Sequence, residues 1–129
     1  NGLVGQLVLI GRPGAEPRLE KLKSELEAAA TGSQPIKISS DLNDLRTSRL
    51  IVACSNAATP IVTPAHIIDG PAVLLDLAVP GDAYPSLADN PNLSVIRGGI
   101  VALPDGGKRS PLILPGWHLP RGYAYGCIA

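Results

Sequence analysis

The sequence predicts an α/β fold, a doubly wound and mostly parallel sheet in three layers, built as one domain over residues 1–129. Three observations carry that reading. Strand-like segments alternate with helical ones. Each strand-like segment is a short continuous run of apolar residues, the mark of strands covered on both faces, as in parallel sheets flanked by crossover helices. No internal repeat and no long linker divides the chain. At 129 residues, 45% hydrophobic and 17% charged, the chain has the length and apolar content for a core, and too few charges for a disordered segment.

In chain order, Gln6 to Arg12 (QLVLIGR) is an apolar run ending in Gly-Arg and reads as a buried strand. A turn at PGAEP leads into an amphipathic helix, with Pro17 in its first turn, where a missing N–H costs nothing. Leu19, Leu22, Leu26 and Ala29 recur at helical spacing, Glu and Lys occupy the other face, and Gly32 closes the helix. IKIS is a second, shorter strand, and SDLNDL carries N-cap chemistry at Ser40 or Asp41 for a short helix. Arg49 to Ser55 (RLIVACS) is a strand apolar on both faces. TPAHII begins a short helix with Thr63 as cap and Pro64 at its first position. Ala72 to Val79 (AVLLDLAV) is a buried strand interrupted by Asp76, whose carboxylate needs partners if buried and reads as orienting loop N–H groups or a helix terminus. PGDAYPSLADNPN is turn-rich. LSVIRGGIVAL is the last strand, broken by Gly98-Gly99, and a Pro/Gly segment from Pro104 to Gly122 precedes a final helical stub at RGYAYGCIA.

Eleven basic residues balance eleven acidic ones, so no global field draws the chain to nucleic acid or to an anionic membrane. The apolar runs are far too short for a membrane span. Two cysteines and no secretory leader argue against a disulfide framework and for a reducing, cytoplasmic setting. His66 and His118 lack metal-ligand spacing with the cysteines, so no zinc site is expected. The sequence contains no methionine and ends within a pattern, so it is expected to be a piece of a longer protein.

In open parallel sheets, ligands bind beyond the carboxyl ends of the strands. The residues expected there are Gly11 and Arg12, then Cys54, Ser55 and Asn56, then Val79 and Pro80, then Gly98 and Gly99. Arg12 offers a planar fork for a phosphate, with no acid beside it in LIGR, and otherwise reads as a solvated strand-end arginine. Ser55 and Asn56 suit either a cofactor-facing loop or an ordinary polar turn. Two consecutive glycines weaken a strand unless a bulge or a close approach needs them. The G-x-G-x-x-G fingerprint after a first strand is missing, since Gly2 and Gly5 precede a strand.

Taken together, LVLIGR, RLIVACSNA, AVLLDLAVPGD, NLSVIRGGIVALP and LPRGYAYGCIA resemble the NADP-binding domain of the long-chain acyl-[acyl-carrier-protein] reductases. More broadly they are similar to the Rossmann domains of the shikimate dehydrogenase and glutamyl-tRNA reductase type. The resemblance runs from about Leu7 onward. It implies a Rossmann-like sheet that lacks its first strand and Gly-rich loop, with a hole unless another chain (as in a homo-oligomer), a swapped segment or the residues around Leu3 fill it. It implies NADP as cofactor, with Arg12 at the end of the second family strand favouring the 2′-phosphate. Ser55 and Asn56 would meet the cofactor, and Gly98 and Gly99 would lie near the nicotinamide. Cys127 matches the cysteine that attacks an acyl thioester before hydride delivery releases an aldehyde, so a small-molecule or carrier-bound acyl substrate is implied. A shikimate-dehydrogenase-like carbonyl reaction would leave Cys127 structural. The chain by itself is expected to be inactive. The reading from a different class is a non-catalytic Rossmann-like module that binds a nucleotide or a partner protein, with Cys127 buried and inert.

Overall fold

The computed structural model describes residues 5–29, 34–103, 106, 119–120 and 122–125. The chain forms two compact units, Asn1–Thr47 and Ser48–Ala129. In the first, strand β1 (Leu7–Ile10) leads through helix α1 (Glu16–Ala29) to strand β2 (Ile36–Ser39), and the two strands pair in parallel with Leu7 beside Ile36. This is a β-α-β crossover. Arg12 turns the chain, its carbonyl accepting the Ala15 N–H at 3.0 Å. Pro17 sits in the first turn of α1, as the sequence predicts.

The stripe of α1 is only partly covered. Leu19 and Leu26 are half-buried, Leu22 is exposed, and no described residue of this unit is fully buried. Gly32 lies outside the described residues. A two-turn 3₁₀ segment, Leu42–Thr47, follows β2. The Asp41 carboxylate accepts the Asn43 N–H at 2.8 Å, the local bond that Asp offers at a turn.

The second unit holds strands β3 (Leu50–Ala53), β4 (Ala72–Asp76) and β5 (Leu93–Arg97), all parallel, in the order β3-β4-β5. Leu50 stands beside Val73, Ala72 beside Leu93, and Asp76 beside both Ala53 and Arg97. One face of this sheet carries the core. Ile51, Ala72, Leu74 and Leu93 pack there with Val62, Ile67, Ala83 and Leu87, all buried. The other face is open: Leu50 and Val52 are 61% and 53% exposed, and Ile96 is exposed beside them.

That open face departs from the expected strands covered on both sides. The described connections of this unit contain 3₁₀ turns at Pro64–His66 and Pro85–Asp89 in place of α-helices. Prolines at 60, 64 and 71, and at 80, 85 and 91, leave no proline-free stretch long enough for a crossover helix. Instead, residues 61–63 run beside 82–84. Val62 bridges Ala83, and the Tyr84 N–H donates to the Val62 carbonyl at 2.9 Å. Thr63 and His66 form the predicted cap reciprocally, the Thr63 N–H donating to His66 Nδ1 at 3.1 Å.

A second correction concerns the end of the chain. The helical stub expected at RGYAYGCIA is, at Tyr123–Tyr125, a strand β7 that pairs antiparallel with β6 (Ile100–Ala102). Gly122 takes φ 90° and turns the chain, and its carbonyl accepts the Leu103 N–H at 2.7 Å. Ala124 in this strand is buried and Tyr123 is exposed. Residues 126–129, Cys127 among them, lie outside the described residues. Among the described residues the architecture is therefore α/β with parallel pairing, in two parallel sheets and one antiparallel pair.

Candidate ligand-binding site

The carboxyl ends of β3, β4 and β5 meet around two buried carboxylates. Asp76 ends β4 and Asp82 follows a turn with a cis Val79–Pro80 bond, and each is 1% exposed. Burial of a carboxylate is tolerated only where donors replace water. Asp76 Oδ1 accepts the N–H groups of Ala78 at 3.2 Å and Asp82 at 3.1 Å, and Oδ2 accepts the Ala83 N–H at 3.0 Å. The strand end thus folds residues 77–83 around its own side chain. This is the loop-orienting role the sequence suggests for Asp76.

Asp82 performs the same service for the neighbouring loop. The Ser55 hydroxyl donates to its Oδ1 at 2.5 Å and the Ser55 N–H to its Oδ2 at 2.9 Å. The Ser55 oxygen in turn accepts the Ala57 N–H at 3.1 Å. Ser55 is therefore held on both sides, whereas Asn56 and Cys54 are exposed beside it.

The glycines have local reasons. A Cβ on Gly99 would lie 2.7 Å from Val79 Cγ2, 2.8 Å from the Ala78 carbonyl oxygen and 3.0 Å from that of Leu77. A Cβ on Gly98 would lie 2.6 Å from Leu77 Cδ2. The close approach inferred from the glycine pair is thus made by the chain's own residues 77–79. A Cβ on Gly81 would meet Asp76 Oδ2 at 2.8 Å. In the first unit, Gly11 lies under α1, its Cβ position 3.0 Å from Leu19 Cδ1. Arg12 is exposed and in no ion pair among the described residues.

Of the residues predicted at the site, the structure gathers Ser55, Val79, Gly98 and Gly99 around the Asp76–Asp82 pair. Gly11 and Arg12 follow β1 in the first unit. Asp82, Gly81 and Arg97 complete the gathering and were not anticipated. Pro-Gly-Asp reads as an ordinary solvated turn, and only the Ser55 contact across the fold gives Asp82 its place. Asp76, Ala78, Val79, Pro80, Gly81, Arg97, Gly99 and Ile100 line a pocket of about 140 Å³ at this end of the sheet. At the opposite, amino end, Arg49 donates from Nη1 to the Pro71 carbonyl at 3.1 Å beside a shallow cleft.

Each unit by itself offers part of what a dinucleotide needs. In the first, the exposed guanidinium of Arg12 has donors for a phosphate; in the second, Asn56 is exposed. The pocket is smaller than the 300 Å³ and upward typical of whole-ligand sites, so it accommodates a fragment of such a molecule. No described helix is long and apolar enough to cross a membrane. Comparison with protein-family models, curated proteins and solved structures finds no match.

Proposed function

We propose that this chain is the nucleotide-binding part of an NADP-dependent oxidoreductase with a Rossmann-like sheet, one that reduces an acyl thioester to an aldehyde or a related carbonyl substrate. The observation that carries the reading is Arg12. It stands exposed just after β1, the strand that the resemblance equates with the second Rossmann strand, whose end meets the ribose 2′-position. The resemblance supplies the reaction class. Arg12 would hold the 2′-phosphate, and the resemblance assigns Ser55, Asn56, Gly98 and Gly99 of the second unit to the cofactor. The cofactor supplies the hydride. The Cys127 thiolate would take the acyl group from the substrate's thioester and displace its thiol, and hydride transfer would then release the aldehyde and free Cys127.

Titrating the chain with NADPH and with NADH tests this. Arg12→Ala is expected to weaken NADPH binding about 10- to 100-fold, the loss of one charge-assisted pair, and to leave NADH binding unchanged. Equal loss for both, or no binding of either, overturns the assignment. The rate of Cys127 alkylation against pH then separates the chemistries: a midpoint well below the usual thiol value of about 8.5 supports a nucleophile.

One set of contacts favours a second reading, a non-catalytic module that binds a nucleotide or a partner. Ser55, Gly98 and Gly99 all have structural uses within residues 54–99. On that reading Cys127 alkylates slowly at every pH.

A further inference from the structure

We propose that Asp82 is a positioning residue: through Ser55 it presets the loop after β3 that the resemblance assigns to the cofactor. The role rests on the cofactor reading above. β3 ends at Ala53, residues 54–57 belong to no strand or helix, and Cys54 and Asn56 are exposed. A loop of this kind ordinarily samples several backbone conformations, and ordering it on a ligand costs entropy. Here one side chain, 27 residues further along the chain, removes that freedom. The Ser55 N–H donates to Asp82 Oδ2 at 2.9 Å and the Ser55 hydroxyl to Oδ1 at 2.5 Å. Two bonds from one residue to one carboxylate fix both its place and its rotation. The Ser55 oxygen then accepts the Ala57 N–H at 3.1 Å, so the backbone is tied on either side of Asn56.

The residue type points past packing. Asp82 is 1% exposed, and a buried carboxylate is costly where an apolar side chain would fill the same space. What the carboxylate adds is one defined geometry for the residue it holds. Its own place is set in turn, because the Asp82 N–H donates to Asp76 Oδ1 at 3.1 Å. Asp76 ends β4, the middle strand of its sheet, so the Ser55 loop is referenced to the most enclosed strand of the unit. The same contacts divide the labour between neighbours. Ser55 has one hydroxyl proton, and Asp82 takes it, so Ser55 acts by holding the loop while Asn56 is the residue the loop presents.

NADPH and NADH titrations of the full chain test the role, with hydrogen exchange of the ligand-free chain as a second readout. Ser55→Ala keeps the N–H and removes the hydroxyl. It is expected to weaken NADPH and NADH by the same factor, about tenfold if the freed loop holds its binding geometry about a tenth of the time. Exchange of the amides at positions 55 and 57 should speed up by roughly tenfold with no ligand present. Ser55→Thr, which keeps the hydroxyl, should bind as the parent does. Asp82→Asn should weaken binding severalfold alone and add less than about twofold in the Ser55→Ala background, since it acts through that residue. Three results overturn the proposal: Ser55→Ala binding like the parent, a loss confined to NADPH, or an Asp82→Asn effect undiminished in Ser55→Ala. A parent chain that binds neither cofactor overturns the cofactor reading and this role with it, whereas a parent that binds both beside an unchanged Ser55→Ala overturns the positioning role alone.

Discussion

Asp76 and Asp44 are both aspartates beside a turn, yet the chain uses them in opposite ways. Asp44 sits in the 3₁₀ turn after β2 and pairs with Lys37, whose Nζ donates to its Oδ2 at 2.9 Å in contact with solvent. Water competes for every atom of that pair, so its loss costs little. Asp76 has no water to fall back on, and its three partners are backbone N–H groups that cannot move without moving the loop. The difference teaches that burial and the fixity of the partners decide what a carboxylate is worth, not the number of charges nearby.

The sharpest way to break the comparison is Asp76→Asn. An amide NH₂ would face backbone donors where only acceptors fit, and a destabilisation of about 3 kcal/mol is expected by chemical denaturation. A loss below about 1 kcal/mol would show that the loop repacks and that Asp76 does not organise it.

The glycine pair gives a smaller and more discriminating test. At position 99 an added methyl meets two carbonyl oxygens of the 77–79 backbone, which cannot yield. At position 98 it crowds the far end of the exposed Leu77 side chain and touches Leu75 Cδ1 at ordinary contact distance. Gly99→Ala should therefore cost about 1–3 kcal/mol and Gly98→Ala well under 1 kcal/mol. Equal effects would mean that the glycines serve the strand break and not the packing.

The smallest expected effect is at the exposed member of the comparison. The Ser39 hydroxyl and then the Lys37 ammonium hold the Asp44 carboxyl below the usual carboxylate range. A carboxyl depressed in the folded state contributes stability that is present above its unfolded value and is lost as the pH falls through the folded one. An NMR titration should find the Asp44 midpoint low in the parent and raised in Lys37→Ala, with no resolvable change in melting temperature at neutral pH. A midpoint unmoved by Lys37→Ala would remove the ion pair from the account.

The five parallel strands were legible because each is a compact apolar run between turn residues, a local signal. Asp76 was legible because a lone carboxylate in such a run must find donors. The strand at Tyr123–Tyr125 was not. Two tyrosines and an alanine fit a helix or a strand equally, and the choice is made by Ile100–Ala102, some twenty residues earlier. Asp82 was hidden for the same reason: its burial depends on Ser55, which a reading of the Pro-Gly-Asp turn cannot see. The glycine pair signalled a close approach without naming the approaching atoms. The proline spacing that suppresses helices between β3 and β5 was visible, but the alternation of segments outweighed it.

The loop around Asp76 has one more consequence, in time. Loop amides ordinarily trade their protons with solvent within seconds to minutes, since local opening exposes them at almost no cost. The amides of Ala78, Asp82 and Ala83 belong to no strand or helix, yet each is tied to a buried carboxylate. They open only when the end of β4 opens. On the clock of hydrogen exchange, this irregular turn keeps pace with the strand it follows.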